Sequence, residues 1–178
     1  MQHAEKRPEP GDPELTERGC QQATQTALWL SRVGLRAVYS SPLCRAWQTA
    51  APIATAARLD VHRDERLTER MNWQGVEPIE DFLADWARGV RDRDFVPRTG
   101  DSSRQAAGRL HAFVQEQVDA PGAVAAVTHG GVTADLLRTL VGDDEVPADV
   151  VHQGVPSCAI TILDGLRVVA MARTDHLS

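Results

Sequence analysis

Long apolar runs are missing from this chain of 178 residues. Nothing approaches the roughly 18 consecutive apolar residues that a membrane span needs, so no membrane partner is expected. Cysteine is sparse: Cys20, Cys44 and Cys158 are odd in number, widely spaced and free of any Cys-x-x-Cys pair. That argues against a disulfide framework or a cysteine zinc site and fits a reducing cytoplasm. Lysine is almost absent, because the 19 basic residues are Lys6 and otherwise Arg. Schiff-base chemistry has little to work with, while the planar guanidinium forks suit phosphate or carboxylate. Positive charge is in deficit too: the net charge is -6, and its field opposes nucleic acid and anionic lipid. An anionic ligand must therefore be held by a local cluster. The start, Met1-Gln2-His3-Ala4-Glu5-Lys6-Arg7-Pro8, lacks the apolar stretch of a secretory signal. No repeat or low-complexity linker divides the chain, and with 42% apolar residues it reads as a single domain, 1–178.

What is present alternates between helix and strand patterns. Residues 7–14 carry three prolines and a glycine and form a loop. Thr16 is a good N-cap, and Cys20, Ala23, Ala27 and Leu30 follow at helical spacing until Gly34. Residues 36–40 form a short strand, after which Ser41-Pro42 predicts a helix capped by Ser41, with Ala46, Ala50, Ile53 and Ala57 on one face. Residues 59–63 suit another short strand, 78–90 and 102–118 two amphipathic helices, and 91–101 a polar loop. The continuous apolar run 123–128 predicts a strand covered on both faces, followed by Gly130-Gly131 and a helix with Val132, Leu136, Leu137 and Leu140. Two strands, 157–163 and 167–172, close the chain around Asp164-Gly165. The expectation is an α/β fold, a three-layer sandwich with a mostly parallel central sheet flanked by helices on both faces.

Ligands of such folds gather at the carboxyl ends of strands. Three segments qualify: Gln2-His3-Ala4-Glu5, Tyr39-Ser40-Ser41-Pro42-Leu43-Cys44-Arg45 and Val127-Thr128-His129-Gly130-Gly131. Each sets a His or Arg at a strand end or in the first turn of a helix, so two imidazoles and a guanidinium can face one anion. Taken singly, these residues have ordinary alternatives: a solvated terminal His3, a capping His129, a surface ion pair for Arg45.

Here the chain resembles the histidine phosphatase superfamily, the phosphoglycerate mutase-like proteins. Ser40-Ser41-Pro42-Leu43-Cys44-Arg45-Ala46-Trp47-Gln48-Thr49-Ala50 matches the family's most specific signature. Leu15-Thr16-Glu17-Arg18-Gly19 stands for its first helix start, Leu67-Thr68-Glu69 with Trp73-Gln74-Gly75 for the region of its acidic proton donor, and Gly100-Asp101-Ser102 for its Gly-Glu-Ser segment. The resemblance implies a metal-independent phosphomonoester hydrolase without a cofactor, acting on a small phosphorylated substrate. His3 would be the nucleophile that becomes phosphohistidine, His129 a protonated partner and Glu69 the proton donor. Gln2, Arg45, His129 and Gly130 would bind phosphate, and residues 70–105 would form a lid or specificity segment. Glu65, Glu77 and Asp101 are rival carboxylates; His62, His111, His152 and His176 lack motif context.

Two departures from the family pattern stand out. Gln2 occupies the place of the family's Arg, removing a charge from the phosphate pocket, which Lys6, Arg7 or Arg104 would have to restore. Only Met1 and Gln2 precede His3 where the family has a central strand, so the first strand looks truncated. An upstream start, an omitted segment or a strand donated by another chain, as in a homodimer, would complete it. These departures keep two rivals in view: a protein-phosphohistidine phosphatase, and a catalytically weak anion-binding regulatory domain. Mutase activity is less expected, because the chain is short of material for an enclosing lid.

Overall fold

Thr16 ends the proline loop and starts the first helix by accepting the Gly19 N–H at 2.9 Å, and α1 runs Glu17–Leu30. The structure, a computed structural model, describes residues 1–177. After α1 come β1 (Leu35–Ser40), α2 (Cys44–Ala57), β2 (Val61–Arg63) and a 3₁₀ turn at Glu65–Leu67. Helices α3 (Ile79–Arg91) and α4 (Ser103–Val118) lead to β3 (Ala123–Val127) and α5 (Gly130–Val141). A short α6 (Ala148–Gln153) and the strands β4 (Ile160–Asp164) and β5 (Arg167–Arg173) complete the order.

Strands β2, β1 and β3 form a parallel sheet in that order, and β4 and β5 an antiparallel pair. Successive residues of a strand face opposite sides, which makes the three layers. Val38, Ala125 and Val127 pack against Ala27 and Leu30 of α1 and Ala46, Ala50 and Ile53 of α2. Tyr39 and Ala126, one residue along, turn the other way onto Leu110 and Phe113 of α4 and Val132 and Leu136 of α5. The expected sandwich is therefore present.

The residues ahead of His3 form no strand, only an isolated parallel bridge between Gln2 and Thr128. Thr128 N–H donates to the Met1 carbonyl at 2.8 Å, and His3 N–H donates to Thr128 O at 3.0 Å. On the opposite edge Gln2 N–H donates to Ala159 O and Cys158 N–H to His3 O, each at 3.0 Å. Residues 1–3 thus lie between β3 and the segment entering β4, and this chain's own backbone pairs both of their edges.

Helix α2 starts later than Ser41-Pro42 implies. Its N-cap is Leu43, and no cap bond comes from that side chain. Ser41 is drawn into the site by His129, and the capping acceptor comes from the proline loop instead: the Asp12 carboxylate takes the Cys44 N–H at 2.8 Å. The six-residue α6 lies in a stretch where the sequence shows no periodic pattern, while the other helices and strands fall where their spacing places them, within a few residues.

Candidate active site

His3 ends the stub between β3 and β4 and is 6% exposed. Its Nδ1 lies 2.7 Å from the Ala4 carbonyl, which can only accept, and its Nε2 lies 3.2 Å from Arg45 Nε, which can only donate. The ring is thus assigned the Nδ1–H tautomer with a bare Nε2. Burial, followed by the Arg45 cation, lowers its pKa from 6.5 to about 3. A neutral imidazole with its lone pair turned toward a guanidinium is a competent nucleophile.

Arg45 reaches this position from the first turn of α2, buried except for 2% of its surface. Its Nη2 donates to Asn72 Oδ1 at 3.0 Å, and its Nη1 stands 3.5 Å from Asp12 Oδ1. Asn72 in turn donates to the Gly11 carbonyl at 2.8 Å, tying the proline loop to the segment after Glu69. Neither Asn72 nor Asp12 emerges from the motifs; a carboxamide three residues past Glu69 was the available signal for the first.

His129, at the end of β3, is fully buried and meets the His3 ring edge-on at 5.1 Å between centroids. Its Nε2 is 2.8 Å from Ser41 Oγ, while Nδ1 has no partner among the described residues. Burial, then His3 and Arg45, hold its pKa well below 6.5. Without an anion in the site, desolvation and the neighbouring His3, Arg45 and Arg109 disfavour the protonated form of His129. An anion placed against it favours the charged form.

Glu69 lines the same cleft, with both oxygens engaged by backbone donors: Gly131 N–H at 3.0 Å, Val132 N–H at 2.8 Å and Arg70 N–H at 2.7 Å. It anchors the N-terminus of α5, the end at which a helix favours negative charge. Glu65, Glu77 and Asp101 do not line the cleft, and Asp101 pairs with Arg109 at 2.8 Å. Gln2 does line it, with Nε2 3.4 Å from His3 Nε2 and a buried Oε1 that has no partner among the described residues. Of the three cations that could compensate for Gln2, Lys6 lines the cleft; Arg7 and Arg104 do not, and Arg104 pairs with Asp94 at 3.0 Å.

The cleft has a volume of about 460 Å³, and Gly130 and Gly131 form part of its floor. A Cβ on Gly131 would lie 2.5 Å from Trp86 Cη2 and 2.8 Å from Glu69 Oε1, so only glycine permits this approach. From the 70–105 segment, Met71, Asn72, Trp73, Ile79, Phe82 and Trp86 face the cleft. Residues after α3 do not; Arg93, for example, bonds to Ser103 and Asp143 and fastens the segment to α4 and the end of α5. The wall is thus the first half of the segment, and Ile79, Phe82 and Trp86, three and four residues apart, mark its helical face. His62, His111, His152 and His176 stand outside the cleft.

An α/β sandwich whose strand ends join two imidazoles to a buried guanidinium is the frame of a histidine-based transfer site. The chain belongs to the histidine phosphatase superfamily, branch 1, whose family model matches residues 2–168. It is 37% identical over 111 residues to phosphoserine phosphatase 1 of Hydrogenobacter thermophilus, covering 59% of this chain and 53% of that protein. It is 33% identical over 147 residues to glucosyl-3-phosphoglycerate phosphatase of Mycolicibacterium vanbaalenii, covering 74% and 64%. The chain therefore spans less than two thirds of the length of these relatives. Among solved structures, the mycobacterial glucosyl-3-phosphoglycerate phosphatase with inorganic phosphate superposes with a TM-score of 0.75 at 27% identity, over 99% of this chain and 97% of that one. Bacillus stearothermophilus YhfR gives 0.76 at 26%, over 100% and 97%.

Proposed function

We propose that the chain is a metal-independent phosphomonoesterase working through a phosphohistidine on His3. The observation that carries this is the fixed tautomer of His3, with Nδ1 on the Ala4 carbonyl and Nε2 directed at Arg45. Nε2 attacks phosphorus as the ester P–O bond breaks, and Glu69, in its protonated form, passes its proton to the leaving oxygen. Water then attacks the phosphohistidine, Glu69 takes the water's proton, and inorganic phosphate departs with His3 neutral again. Arg45 and an anion-charged His129 balance the phosphoryl oxygens, with Gln2 and the Gly130 backbone at the same group. Three backbone donors take two sites on Glu69 Oε1 and one on Oε2, which leaves a site on Oε2 for the proton.

Phosphatase names among the relatives support the reaction class. Three free cysteines suit the reducing cytoplasm we assign it. No helix among the described residues is long and apolar enough to cross a membrane. The test is to trap the intermediate with a labelled phosphomonoester: acid-labile, base-stable phosphate should appear on the wild type and be missing from His3→Ala, whose turnover should drop by at least roughly a thousandfold. EDTA should leave turnover unchanged. Retained activity in His3→Ala, or a loss to EDTA that Mg²⁺ restores, overturns the reading.

A further inference from the structure

The cleft holds a second discrimination beyond the phosphate. Its lining has two long-chain cations, Lys6 and Arg45, against three carboxylates, Glu5, Glu9 and Glu69. Arg45 is turned to His3, and Lys6 donates to the Arg7 carbonyl at 3.2 Å. Trp73, Ile79, Phe82 and Trp86 form the apolar wall of the cleft. Directly behind that wall, out of the cleft, stands another cation. Arg70 is 2% exposed and gives Nη1 to Asp135 at 3.0 Å, while its Nε and Nη2 are buried without partners among the described residues. The Trp86 ring covers it, with the guanidinium carbon 4.1 Å from the ring centroid. Trp86 is therefore a partition, with the cleft on one side and an under-used guanidinium on the other.

Resting on the phosphomonoesterase reading, we infer that Trp86 is a specificity-determining residue that selects substrates with an apolar leaving group and rejects those carrying a second anionic group. An apolar group loses water against the aromatic wall at no polar cost. A carboxylate there is desolvated against the indole near the Glu69 carboxylate, since both groups meet the Gly131 position, and the cation that could pair with it lies behind the indole. Gly131 belongs to the same device, since a side chain at that position would displace the ring from its seat over Arg70.

The test uses alkyl phosphates of similar leaving-group basicity, so that differences report the cleft. The probes are 2-phenylethyl phosphate, 3-phosphoglycerate and glycerol 3-phosphate, the last as the baseline for each variant. The wild type should favour 2-phenylethyl phosphate over 3-phosphoglycerate by about tenfold or more in kcat/KM. Trp86→Ala, which removes the wall and uncovers Arg70, should lose most of that preference, with 3-phosphoglycerate holding or rising relative to glycerol 3-phosphate. Trp86→Leu keeps an apolar cover and should still reject 3-phosphoglycerate; it and the wild-type ratio suffice if the alanine variant does not fold. A wild type that prefers 3-phosphoglycerate, or a Trp86→Ala variant that slows all three in parallel, overturns the inference while leaving the phosphatase reading intact. Turnover of none of the three overturns the phosphatase reading itself.

Discussion

Arg45 donates its Nε–H to His3 Nε2 across 3.2 Å, so the nitrogen placed to attack phosphorus is also the one the guanidinium guards. The same fork gives Nη2 to Asn72 and faces Asp12 with Nη1, which orients it from three directions. A phosphoryl group entering this corner meets a cation whose direction is already set, the condition under which electrostatic stabilisation is strongest.

Arg45→Lys should therefore be far from conservative. A lysine offers a point charge without the fork and cannot contact His3, Asn72 and Asp12 together. A fall of roughly a hundred- to a thousandfold in kcat is expected, measured by steady-state kinetics on an aryl phosphate. Asn72→Ala should cost less, because it loosens the fork without removing the charge. If the lysine variant retains near-normal turnover, the fork geometry is not used.

Glu69→Gln is expected to do two separable things. The amide keeps one acceptor oxygen but turns an NH₂ toward the backbone donors of α5, so thermal stability should fall, by about 1–3 kcal/mol. It also removes the proton donor, which should slow alkyl phosphates much more than aryl phosphates, whose leaving groups need little protonation. Equal losses on both classes would leave Glu69 a helix anchor alone.

Acid should destabilise the fold through its histidines. The folded pKa of His3 lies near 3, that of His129 also lies well below 6.5, and unfolded histidines titrate near 6.5. The unfolded chain thus binds more protons below 6.5, so this stability is fully present above 6.5 and is lost as pH falls toward 3. Asp135, raised by burial, works in the opposite sense closer to its own range, so the window to examine is pH 7.5 to 5. The melting temperature should fall across it, and millimolar phosphate should reduce the fall by favouring charged imidazoles. A flat profile without phosphate would count against buried neutral histidines.

Legibility in the sequence followed the range of the interactions. Val38 and Tyr39, adjacent and turned to opposite helix layers, were readable because strand alternation is local. The positions of His3 and His129 at strand ends and of Arg45 in the first turn of α2 were readable from motif and pattern together. Asp12 as the cap of α2 was hidden, because the acceptor comes from 32 residues away and takes the role Ser41 gave up to His129. The lowered pKa of His129 was hidden for a similar reason: burial and the approach of His3 and Arg45 are tertiary facts. Trp86 packs on one side against Arg70 and faces the cleft with the other, and neither contact is local in sequence.

Gln2 allows the most direct check on the phosphate corner. Its carboxamide lies 3.4 Å from His3 Nε2, lines the cleft and buries an oxygen without a partner among the described residues, so it occupies the place without supplying charge. Arg7 and Arg104 stand outside the cleft, and Lys6 is tied to the Arg7 carbonyl. A guanidinium here adds charge-assisted bonds about twice as strong as those of an amide. Gln2→Arg should therefore bind inorganic phosphate more tightly by on the order of 1–2 kcal/mol, roughly five- to thirtyfold in the inhibition constant. Whether kcat follows depends on how far the contact strengthens in the transition state, so the inhibition constant is the quantity to compare. An unchanged or weaker constant would mean that Lys6 already supplies the missing charge.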